Sequence, residues 1–117
     1  MSQQTPNLAM PVMMPSQAQK HITHNEALEL LDAIVQLKCE AIDLTSPPQS
    51  PSEGQCWAVP SGALGSWAGQ DGKLATWRGG GWLFLAPQDG WLTWCAADTT
   101  LYARSSGDWQ PLATLTP

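Results

Sequence analysis

His21 and His24 stand three residues apart, a spacing that lets both imidazoles share one helix face and, in a threefold assembly, meet a metal on the axis. No third ligand accompanies them in sequence. They are read instead as capping or interface groups, with no metal and no cofactor expected. Asp71, Asp89 and Asp108 each adjoin a glycine, where aspartate serves the local hydrogen bonding of turns, and none forms an obvious acid–base pair. A nucleophile triad would need a histidine near the second half of the chain, yet both histidines lie in the first. No nucleophile elbow, phosphate-binding loop or dinucleotide fingerprint is present, so no enzyme is expected. Cys39, Cys56 and Cys95 are odd in number and lack CxxC spacing, which points to reduced, buried small apolar residues rather than disulfides or a zinc knuckle.

The remaining chemistry is aromatic. Seven tryptophans stand against one tyrosine and one phenylalanine, all of them between Trp57 and Trp109. Exposed indoles stack on sugar faces. Trp67, in a glycine-rich stretch rather than a strand, is the first candidate glycan contact. Trp91 and Trp94, three apart in one strand, must face opposite sides of a sheet, so one of them can point outward. The competing explanation is packing: a core of about 60 residues is marginal, and an indole that buries ~150–250 Å² fills it efficiently.

The elements that position these groups follow from pattern. Residues 1–22, with three prolines and no helical or alternating period, are expected to be an extended attachment segment ordered where a partner covers it. Thr23-His24-Asn25-Glu26 matches a capping box, and an amphipathic helix is expected over 23–44. Ala27, Leu30, Ile34, Leu37 and Ala41 form one apolar stripe, with Leu28, Leu31, Val35 and Ile42 beside it. Glu29, Asp32, Gln36, Glu40 and Asp43 lie opposite, and Pro47-Pro48 forbids continuation. Such a helix would be roughly 30 Å long. A stripe this wide needs a cover, either the rest of the chain or the same helix in other copies.

Residues 45–53 read as a stiff proline-rich linker, and 54–117 as a tryptophan-rich β module. Short aromatic runs alternate with Asp71-Gly72, Gly79-Gly80, Asp89-Gly90 and Ser106-Gly107, which indicates hairpins. Leu74, Gly80, Trp82, Leu85 and Ala86 recur at a 27-residue shift as Leu101, Gly107, Trp109, Leu112 and Ala113, so one hairpin design is used twice. The expected fold class is α+β: an extended segment and one amphipathic helix, then a small antiparallel β-meander or partly open barrel of ~5–7 strands.

The chain has 117 residues, room for one compact domain with an extension. Only 13% of residues are charged and the net charge is −5, so no basic footprint for nucleic acid or an anionic membrane surface exists. Nothing in the first residues resembles an export signal or membrane span, and no membrane insertion is expected.

The run Pro15-Ser16-Gln17-Ala18-Gln19-Lys20-His21-Ile22-Thr23-His24-Asn25-Glu26-Ala27-Leu28, with Leu31-Asp32-Ala33 and Val35-Gln36-Leu37, resembles a family of phage and gene-transfer-agent proteins of unknown function. These occur in tail-fibre-like and spike-like virion proteins. Pro51-x-Glu53-Gly54, Trp67-Ala68-Gly69 and Trp77-x-x-Gly80-x-Trp82 agree with it. The resemblance implies a structural virion component, a fibre-like, spike-like or baseplate-associated adaptor, assembled in the host cytoplasm and partnered with other virion proteins. A homotrimer is expected by analogy with fibres and spikes. Docking would use Pro15, Gln17, Gln19, His21, His24, Asn25, Leu28, Leu31 and Val35. The alternative is a module that binds a host surface glycan through Trp67, Trp91 or Trp94.

Overall fold

The computed structural model describes residues 4–12 and 20–114. Among them are one α-helix, α1 (Lys20–Ile34), and seven strands. The strands are β1 (Lys38–Cys39), β2 (Cys56–Ala58), β3 (Leu74–Arg78), β4 (Gly81–Leu85), β5 (Leu92–Cys95), β6 (Thr100–Ser105) and β7 (Asp108–Thr114). The chain forms two compact units, Met1–Gln36 and Leu37–Pro117.

In the first unit, residues 4–12 are not extended as expected. Gln4 and Pro11 bridge in antiparallel fashion, the Thr5 N–H donates to the Met10 carbonyl at 2.9 Å, and Thr5 Oγ1 accepts from the Met10 N–H at 2.9 Å. The closed turn is held by Asp32, whose carboxylate accepts from the N–H groups of Asn7, at 2.9 Å, and Leu8. Asp32, expected on a solvated helix face, is therefore buried.

The helix is also shorter than 23–44. It spans 15 residues, roughly 22 Å at 1.5 Å per residue, and starts before Thr23, so the capping-box residues lie within it. It stops at Ile34 because residues 37–41 satisfy a second period. Leu37 and Cys39 point inward while Lys38 and Glu40 point outward, and Lys38 Nζ reaches a Glu40 carboxylate oxygen at 3.5 Å. Ending the helix lets Leu37 and Cys39 join the core of the second unit.

That unit holds two open sheets, where one small meander or partly open barrel was expected. One has the order β1-β5-β6-β7, the other β2-β3-β4. Every pairing is antiparallel except β1 with β5. The repeated hairpin is present twice. Arg78 pairs with Gly81 across Gly79-Gly80, and Ser105 with Asp108 across Ser106-Gly107. All four turn residues have positive φ, between 53° and 82°, which is the two-residue turn whose twist matches paired strands.

The core lies on both faces of β2-β3-β4. Cys56, Ala58 and Leu74 pack with Leu37 and Cys39 on one side, joined by half-buried Leu85, Trp91 and Trp109. On the other, Trp57 and Ala75 pack with Val59, Ala63 and Trp67, joined by Trp82 and Phe84. Residues 45–53 are not a free linker. The Leu64 N–H donates to the Thr45 carbonyl at 2.9 Å, and both Glu53 carboxylate oxygens accept from the turn amides of Gly79 and Gly80 at 2.9 and 3.0 Å.

All three cysteines are reduced and buried. The Cys56 thiol is pushed well up by its hydrogen bond to Cys39, then by burial, and Cys95 is raised by burial and by Asp98. Cys39 is lowered by the same bond with Cys56, but at 0% exposure it is out of a reagent's reach. Only thiolate is nucleophilic. A thiol-reactive disulfide reagent is therefore expected to find no fast-reacting group at neutral pH in the folded protein and all three in denaturant. Rapid modification of even one thiol in the native state would contradict this packing.

Candidate functional site

The residues that sequence marked for docking fall in three groups. Pro15, Gln17 and Gln19 lie outside the described residues, as does the side chain of His21. His24 is exposed, Asn25 and Leu28 are half-buried, and Leu31 and Val35 are 45% and 53% exposed. Leu30, at 39%, and Leu8, at 37%, add to this apolar surface of the first unit. These four are exposed aliphatic side chains on a small unit, the kind of surface that a partner covers. Among the described residues no group of three His, Cys, Asp or Glu side chains could hold a metal.

Trp67 is not available to a glycan. It is 0% exposed, with ring centroids 6.1 Å from Trp57 and 5.3 Å from Trp82. The glycine-rich loop brings it there. A 3-10 turn (Gly65–Trp67) folds the loop back over the sheet, and Asp71 holds the loop entry by accepting from the amides of Gly62 and Ala63 at 3.0 and 3.2 Å. Asp71 is thus a turn residue, as its sequence neighbours imply. Trp91 and Trp94 are both half-buried. Trp91 packs against the core, while Trp94 shares a face of β5 with Leu92, which is 51% exposed.

A cleft of about 430 Å³ opens in the second unit between the β6-β7 hairpin and the chain that leaves β2. Its polar groups are Arg104, Asp108, Gln110 and Ser61, and Ile42, Val59 and Pro60 form an apolar wall. Arg104 and Trp109 are cross-strand partners, and the guanidinium carbon lies 5.3 Å from the indole centroid. The first hairpin puts Trp77 and Trp82 at the equivalent positions, 5.0 Å apart and edge to face. The repeat has therefore exchanged an aromatic pair for a cation on an indole. Sequence pattern had marked Trp109 only as a strand residue and Arg104 not at all. The signal available was the internal repeat, which aligns Arg104 with Trp77.

On the same hairpin, the Tyr102 hydroxyl donates to the Asp98 carboxylate. This bond holds Asp98 below the usual carboxylate range and pushes Tyr102 up to about 12 from 10.0. The sign follows for each group. The stabilisation linked to Tyr102 is complete below pH 10 and is lost as pH rises through about 12, whereas that linked to Asp98 is lost as pH falls through its lowered value. Tyr102 is the only tyrosine, so alkaline absorbance titration reads it alone. A midpoint near 12 is expected in the folded protein, returning to near 10 in Asp98→Asn; a native midpoint near 10 would rule the bond out.

No helix among the described residues is long and apolar enough to cross a membrane. A search of curated proteins finds no match to the chain. A family model does match, over residues 24–110, from α1 to the third residue of β7. The chain belongs to that family, described as a protein of unknown function (DUF2793).

Proposed function

We propose that the protein is a non-catalytic structural component of a phage-type or gene-transfer-agent particle, a fibre-like, spike-like or baseplate-associated adaptor. It docks through its N-terminal unit, as a homotrimer, and displays the tryptophan-rich β unit. The observation that carries this is the set of exposed aliphatic side chains at the C-terminal end of α1 and just beyond it, Leu30, Leu31 and Val35, which gain a dry cover only from another surface. The resemblance of the sequence around α1 to virion proteins supports the particle as that surface.

Light scattering after size-exclusion chromatography tests the assembly. A trimer of the full chain is expected, with Leu31→Asp/Val35→Asp giving a folded monomer. A wild-type monomer at micromolar concentration would remove the trimer. Particle location is tested separately by immunolabelling purified virions, where absence of the protein would sink the adaptor role.

A further inference from the structure

We infer that the cleft beside Arg104 is a binding site for a saccharide ring that carries a carboxylate. It stands on the geometry of the β unit alone and does not depend on a particle role.

The first observation is the state of Arg104. Its side chain is half-buried, its guanidinium carbon lies 5.3 Å from the Trp109 ring centroid, and among the described residues no carboxylate pairs with it. A cation over an indole keeps its N–H donors for an outside acceptor, and a guanidinium receives a planar carboxylate in a two-pronged fashion. Trp109 is itself packed against the core cluster, so the cation sits on a rigid strand pair rather than on a loop.

The second is the mixed lining. Ile42, Val59 and Pro60 offer an apolar surface to the C–H face of a sugar ring, while Ser61, Asp108 and Gln110 supply donors and acceptors for hydroxyl groups. A volume of about 430 Å³ falls within the range of small-molecule sites, ~300–1,000 Å³.

Charge selects the ligand class. The cleft holds one cation and one carboxylate, so a monoanion is neutralised by Arg104, whereas a second negative charge would face Asp108 without a partner. The chain's net charge of −5 opposes non-specific capture of polyanions, so affinity must come from local contacts. A carboxylated sugar fits these conditions better than a phosphate or a sulfated polymer.

Calorimetric titration of the full chain with the methyl glycoside of galacturonic acid, neutral methyl galactoside and acetate tests this. The galacturonide, a monoanion, is expected to bind, the neutral sugar about tenfold or more weaker, and acetate without measurable heat. Arg104→Gln should weaken the galacturonide by about tenfold or more, and Arg104→Lys by less, since it keeps the charge and loses the planar fork. Near-ultraviolet circular dichroism confirms that each variant is folded. Should Arg104→Gln misfold, Ser61→Ala is expected to weaken binding several-fold through the loss of one hydrogen bond. No galacturonide binding at millimolar concentration, equal binding of the neutral sugar, acetate binding as tight as the galacturonide, or binding indifferent to these variants would each overturn the assignment.

Discussion

Trp67→Ala is expected to destabilise the β unit by about 3–5 kcal/mol, the cost of removing a fully buried large aromatic side chain. Domain stabilities of ~5–15 kcal/mol make that a large share of the total. The magnitude follows from position. Trp67 is 0% exposed and touches both Trp57 and Trp82, so its loss removes two aromatic contacts as well as the transfer energy of the ring. It also uncovers the face of β2-β3-β4 that bears Trp57, Ala75 and Phe84. Denaturant unfolding followed by tryptophan fluorescence measures this directly, because every tryptophan lies in this unit. Trp94→Ala, at a half-buried ring, is the control and should cost clearly less. A variant at position 67 as stable as the parent would mean the ring is a surface group after all, and would return it to consideration as a sugar-stacking residue.

The hairpins were legible because their turns impose a local demand. Gly79-Gly80 and Ser106-Gly107 are short enough, and permissive enough of positive φ, to leave one turn geometry, and the strands beside them inherit their register. The end of α1 was not legible. Leu37 and Ala41 continue the helical stripe, yet the same stretch alternates in and out at period two, and over five residues the two periods cannot be told apart. What decides between them is tertiary: Cys39 stands opposite Cys95 in β5, a partner 56 positions away. Trp67 was hidden for a related reason. A glycine-rich loop looks solvated in sequence, and only the bonds from Gly62 and Ala63 to Asp71 reveal that this one is folded back as a lid. The cleft was invisible because it sets the β6-β7 hairpin against connecting segments at Ile42, residues 59–61 and Gly72, and pattern within one strand carries no information on which loops will face it.

Asp32→Ala is expected to open the turn over residues 4–12 while leaving the β unit folded. The carboxylate is 1% exposed and accepts two backbone N–H groups, from Asn7 and Leu8, across 25 and 24 residues of chain. Hydrogen bonds to a charged acceptor contribute ~1.5–3 kcal/mol each, so losing both is a large perturbation for so short a segment. Hydrogen exchange at Asn7 and Leu8 should accelerate by about 100-fold or more, a factor that ~2.7 kcal/mol supplies. Asp32→Asn keeps the shape with one acceptor oxygen and should fall between the two. The fluorescence transition of the β unit serves as the internal reference, since no tryptophan lies in the first unit. The functional consequence is specific. Leu8 is carried on this turn, so if the N-terminal unit docks as proposed, opening the turn withdraws one of its exposed apolar side chains and weakens docking while Leu30 and Leu31 of α1 stay in place. Unchanged exchange at Asn7 and Leu8 in Asp32→Ala would show that the carboxylate does not hold the turn, and the ordered docking surface built on it would have to be abandoned.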